Sequence, residues 1–139
     1  MFLSKQKNIL LTILISLLAV DIPVLTLLKP LWDKTVFGVQ HKSLEPNKSY
    51  AFITYILLTY GLYNYVYKNI DKKNWKHDTL MKGFIFGVIV YGVFDFTNLA
   101  IFSNYPFSTA IIDTLWGGLL MALTTNFVYY LFEIKKIIN

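Results

Sequence analysis

The sequence predicts an all-α integral membrane protein, a single domain over residues 1–139 built as a bundle of four transmembrane helices. Three observations carry this. Hydrophobic residues make up 55% of the chain and charged residues only 15%, against a charged share of about 25% in soluble domains. A soluble fold of this length could not hide so much apolar surface. The charges also gather into short polar segments, separated by uncharged runs long enough to cross a hydrocarbon core of ~30 Å. Finally, those runs are continuously apolar and lack the alternation that a transmembrane barrel needs.

The elements follow from the charges. Lys5 and Lys7 ahead of an apolar run imitate a signal peptide, yet Asp21 and Pro23 stand where a small-residue cleavage site belongs, which makes this a retained helix. Only Asp21 interrupts the stretch between Lys7 and Lys29, so the first helix is expected over 9–28, ended by Lys29-Pro30 because proline disfavours helix at the residue before it. No charge lies between Lys48 and Lys68, and the second helix is expected over 50–67. The stretch from Lys82 to Glu133 is too long for one span and must fold back. The cluster Ser103-Asn104-Tyr105-Pro106 is the place for the turn, giving helices over 83–102 and 107–132.

Lysine placement sets the orientation. Four spans put both termini and the central loop on one side, which then carries nine lysines, whereas the other side has only Lys29, Lys34, Lys42 and Lys48. The positive-inside rule makes both termini of this multi-pass protein cytoplasmic. Trp32, Tyr50, Trp75, Tyr105, Tyr129 and Tyr130 fall near span ends, as an interfacial aromatic belt would.

Composition also excludes. All 13 basic residues are lysine, so the bidentate guanidinium clamps typical of phosphate recognition are missing and no nucleic-acid partner is expected despite a net charge of +5. Without cysteine there is no disulfide, thiol nucleophile or cysteine metal site. His41 and His77 fall in different polar segments with no carboxylate at ligand spacing, so neither a metal nor another cofactor is expected.

Polar residues inside the apolar runs are where function must be sought. A carboxylate at a helix centre costs about 2.5–3.5 kcal/mol on insertion scales. Asp95 follows only twelve uncharged residues, Gly83 to Phe94, too few to span, so it must lie within the third helix. Asp21 has a similar position in the first. Asp113 is either buried or an interfacial N-cap, since the nineteen residues from Thr114 to Phe132 could span alone. By helical rise the three lie ~10, ~11 and ~9 Å from the outer ends of their helices, in one layer. Tyr91, Asp95 and Asn98 share a helix face, as do Asp113, Trp116 and Gly117. The candidate buried polar site is therefore Asp21, Tyr91, Asp95, Thr97, Asn98, Asp113 and Trp116. Three carboxyl groups together in low dielectric cannot all ionise, so at least one stays protonated unless a cation sits among them. Gly83 with Gly87, and Gly118 with Ala122, are small residues at the spacing of close helix packing, and Gly117 beside them is a further packing glycine.

The run Tyr91-Gly-Val-Phe-Asp-Phe-Thr-Asn-Leu-Ala followed by Ala110-Ile-Ile-Asp-Thr-Leu-Trp-Gly-Gly resembles the signature of domain of unknown function family 2177, predicted small membrane proteins of bacteria and large DNA viruses. The resemblance rests on Tyr91, Gly92, Asp95, Thr97, Asn98, Asp113, Trp116 and Gly117. Near the end of the first helix the family pattern is Asp-x-x-Trp-Leu, where this chain has Asp21-Ile-Pro-Val-Leu without the tryptophan. The resemblance implies a four-helix protein of a bacterial inner membrane, or of a host or virion membrane, and brings no activity with it.

Three function classes fit these residues. One is a transporter, channel or ion-binding protein using the acidic cluster for a proton or cation, with a homo-oligomer required for any wide pore. The second is a structural or assembly protein in which the same polar groups only join helices, at roughly 0.6 kcal/mol each. The third is a lipid-acting membrane enzyme using Asp95 or Asp113 as acid–base, and it is the weakest because no nucleophile–base pair or phosphate loop is present. The lysine-rich face could hold anionic headgroups, but a solvated topology signal explains it equally well.

Overall fold

A computed structural model describes residues 2–136, all in helices and their connections. Five α-helices form where four were expected. α1 spans Phe2–Leu27, α2 Lys29–Gln40, α3 Lys48–Gly61, α4 Trp75–Ile101 and α5 Phe107–Tyr129. A π-helical turn, Leu62–Val66, and a short 3₁₀ turn, Tyr67–Asn69, prolong α3, and a second π turn, Tyr130–Ile134, prolongs α5. Three helices among the described residues are long and apolar enough to cross a membrane: Lys5–Leu27, Trp75–Ile101 and Phe107–Ile134.

α1 turns its i, i+4 row Ile9, Ile13, Leu17 and Asp21 inward and leaves Leu11, Ile15, Ile22 and Leu25 exposed. Pro23 lies inside this helix; such breaks are tolerated where neighbouring groups satisfy the freed carbonyl. The unexpected helix is α2. Pro30 ends α1, but its fixed φ and missing N–H also suit the first turn of a new helix, and that is where it stands in α2. α2 closes at His41, which takes a left-handed conformation (φ 54°) and donates its N–H to the Phe37 carbonyl at 2.9 Å. α3 begins at Asn47, whose side chain accepts the N–H groups of Ser49 and Tyr50 at 3.0 and 3.4 Å, one of the strongest N-cap choices.

α4 starts at Trp75, two turns before the expected 83. The loop ahead of it is tied down by Asp78, which accepts the Asp71 N–H at 2.9 Å and pairs with Lys82 at 2.6 Å. Helix formation by the lysine-rich segment therefore rests on its own polar side chains as well as on burial.

α4 and α5 form the closest pair, and α5 is the central helix, packed also on α1, on α2 and on the π turn that prolongs α3. Glycine allows that approach. A Cβ on Gly83 would stand 2.8 Å from both the Ala122 Cα and the Met121 carbonyl oxygen. One on Gly87 would collide with the Gly117 carbonyl, and one on Gly117 with the Tyr91 ring. Gly118 lies under Phe84 and Val88 in the same way.

The two ends of the bundle differ. At the end holding both described termini the core is apolar and aromatic, with Tyr63, Tyr67, Tyr129, Trp75 and Tyr130 in successive ring contacts at 5.4–6.0 Å. Tyr67 donates to Glu133 at 3.2 Å, and Lys5 pairs with the same carboxylate at 3.0 Å. At the other end lie the carboxylates of α1, α4 and α5, with α2 against them: buried Thr35 and Thr109 share a hydrogen bond of 2.9 Å.

Candidate functional site

Asp21 lies six residues before the end of α1, Asp95 six before the end of α4, and Asp113 six after the start of α5. Six residues of helix rise ~9 Å, so the three occupy one level. All are buried, with exposures of 4%, 0% and 7%.

Their partners divide them. Asp21 Oδ2 accepts the Tyr55 hydroxyl of α3 at 2.7 Å, and Oδ1 accepts the Trp116 indole N–H of α5 at 2.8 Å. One carboxylate thereby joins three helices. Asp95 Oδ1 accepts the Tyr105 hydroxyl from the α4–α5 turn at 2.8 Å, and Oδ2 accepts Thr114 of α5 at 3.1 Å. Burial and the neighbouring Asp95 carboxyl both push the Tyr105 hydroxyl above the usual phenol range, so it stays a donor. Asp113 lies beside Asp95 and lines a cavity of about 330 Å3 with Thr54 and Leu58 of α3 and Val90, Tyr91 and Phe94 of α4.

Five of the seven candidate residues gather at this level: Asp21, Tyr91, Asp95, Asp113 and Trp116. Tyr91 rests on Gly117 and faces the cavity of Asp113. Asn98 lies one turn nearer the end of α4, in a smaller space of about 170 Å3 lined also by Trp32, Thr35 and Tyr105. Thr97 does not belong to the group. It is exposed, because a residue two positions from Asp95 points to the far side of an α-helix. His41 and His77 stand at the end of α2 and the start of α4. Among the described residues no set of three or more His, Cys, Asp or Glu is arranged to hold a metal ion.

Thr114 and Tyr105 complete the site without having been expected in it. Thr114 had a legible signal, since Asp95 and Thr114 stand equally far in sequence from the turn at Asn104-Tyr105, and an antiparallel hairpin brings such positions together. Tyr105 had none, because its place near a span end reads as an interfacial anchor.

Long apolar helices with outward-facing Ile, Leu, Val and Phe side chains, closed around a level of hydrogen-bonded carboxyl groups, define a helical membrane protein. The chain belongs to the family of predicted membrane proteins DUF2177, whose family model matches residues 7–130. The match extends the resemblance seen in the Asp95 and Asp113 segments to most of the chain, and the family carries no assigned function. No curated protein and no solved structure matches it.

Proposed function

We propose that this chain is a four-span membrane protein that binds a proton or small monovalent cation at Asp113. The carrying observation is the division of labour among the carboxylates. Asp21 and Asp95 each have both oxygens engaged by neighbouring helices or the turn, whereas Asp113 is directed to a cavity whose other walls are largely apolar. A buried acid beside a second acid, at the edge of an accessible space, suits reversible loading. Asp95 then acts through Asp113, as the neighbouring charge that tunes it.

The fourth span is α3 with its continuation, residues 48–69, about 33 Å of helical rise. Its exposed Phe52, Ile53, Ile56, Leu57 and Tyr60 suit contact with lipid. With four spans, both termini share the lysine-rich side and are cytoplasmic by the positive-inside rule, and α2 lies along the opposite interface.

The test is reconstitution in liposomes with proton and monovalent-cation flux followed by dyes. The infrared band of the protonated carboxyl group is recorded in parallel. Wild-type protein is expected to carry flux and to show a carboxyl band that changes with the cation present. Asp113→Asn should lose both. Equal flux and an equal band in the wild type and Asp113→Asn would overturn the proposal.

A second reading has its own support. The Asp21 clasp to Tyr55 and Trp116 and the Asp95 clasp to Tyr105 and Thr114 are what a structural or assembly protein would use to fix four helices in register. On that reading Asp113→Asn changes detergent stability, and the wild type carries no flux.

A further inference from the structure

A groove of about 760 Å3 runs between α1 and α5 on the side of the bundle away from the Asp113 cavity. Ile15 and Ala19 of α1 and Leu123 and Phe127 of α5 are among its walls, and Trp75 and Tyr130 form its end. Those two rings stack on each other, with centroids 6.0 Å apart and planes at 21°. A lysine ammonium lies against each: Lys76 is 5.8 Å from the Trp75 ring and Lys135 is 5.4 Å from the Tyr130 ring. Neither lysine has a carboxylate partner among the described residues.

We infer that this groove is a binding site for one anionic phospholipid, an acyl chain lying along α1 and α5 and the headgroup held by Lys76 and Lys135. Three features fit together. The volume lies within the roughly 300–1,000 Å3 of small-molecule sites, room for an acyl chain. The apolar part extends from the aromatic end toward mid-helix, from Tyr130 to Leu123 on α5, which is ~10 Å of rise, the direction an acyl chain takes from an interface. The aromatic rings and the two ammonium groups stand together at the one end where a headgroup would sit, as at an interfacial belt.

Charge also decides against a second copy of the chain. Copies insert in the same orientation, so a neighbour would bring its own lysine-rich end to the same depth, like charge against like. An anionic headgroup brings the opposite charge.

The experiment uses the full chain in nanodiscs of equal phosphatidylglycerol and phosphatidylcholine, released into native mass spectrometry. One phosphatidylglycerol per chain should be retained in preference to phosphatidylcholine. Each lysine near an anionic surface contributes about fivefold, so Lys76→Gln with Lys135→Gln should lower retention roughly 25-fold. Both are exposed, so the double variant should fold normally. Ala19→Phe, which fills the groove, should remove the lipid with both lysines in place. Equal retention of the two lipids, or unchanged retention in the double lysine variant, overturns the inference. So does efficient disulfide cross-linking of Ile15→Cys between copies without bound lipid, which would assign the groove to a second chain.

Discussion

Replacing Gly87 by alanine is the sharpest test of how α4 and α5 are held. An alanine Cβ there would fall on the Gly117 carbonyl oxygen, 2.6 Å from the carbonyl carbon and 2.8 Å from the Gly118 Cα. Carbon atoms at ordinary contact are ~3.5–4.0 Å apart, so the helix axes must separate by about 1 Å. The obstacle is backbone, and no rotamer change relieves it. Overpacking of this kind costs about 1–3 kcal/mol, and the better helix propensity of alanine returns up to ~1 kcal/mol. The net expectation is a loss of about 1–2 kcal/mol, or a melting point lower by roughly 3–10 °C for a chain of this size. Separation at Gly87 also loosens the neighbouring hydrogen bond from Thr114 to Asp95, now 3.1 Å. Gly92→Ala is the control, because its Cβ would meet Thr114 at ordinary contact, the methyl at 3.5 Å and the hydroxyl oxygen at 3.8 Å, so alanine there should be neutral or stabilising by up to ~1 kcal/mol. Circular-dichroism melting in detergent reads both. Gly87→Ala melting at or above the wild type would refute the backbone-contact argument, and so would equal losses in the two variants.

Two further outcomes are expected by the same method. Tyr55→Phe leaves Asp21 Oδ2 buried without its donor and should destabilise by about 1.5–3 kcal/mol; an unchanged melting point would show that the clasp between α1 and α3 carries no stability. Thr35→Val or Thr109→Val alone strands a buried hydroxyl, at a cost of about 1–3 kcal/mol, whereas the double variant should lose less than the two singles together. Strict additivity in that cycle would mean that α2 is not held by this bond.

The acidic level was legible in the sequence because cost makes it so. A carboxylate with only twelve uncharged residues ahead of it has to lie inside its helix, and helical rise alone ranks Asp21, Asp95 and Asp113 at one depth. The glycines were legible as packing positions for a related reason, since small residues at i and i+4 matter only where another backbone comes near. α2 was not legible. Its residues read as a polar connection because a proline after an apolar run reads as a terminator, although the same ring geometry serves a helix start. Thr97 stands in a polar run, but the helical angle between it and Asp95 turns it outward.

By itself, then, the sequence determined the class, an all-helical membrane protein of the DUF2177 family, and the level along their helices that its three acids share. Composition and spacing along a helix need no knowledge of neighbours. Only the tertiary structure decided what each acid does. Asp21 is joined to Tyr55 and Trp116, residues 34 and 95 positions away, while Asp113 faces a cavity. Which donor reaches which oxygen depends on how the helices rotate about their axes, and that rotation is set by the close approach of α4 to α5 over their glycines.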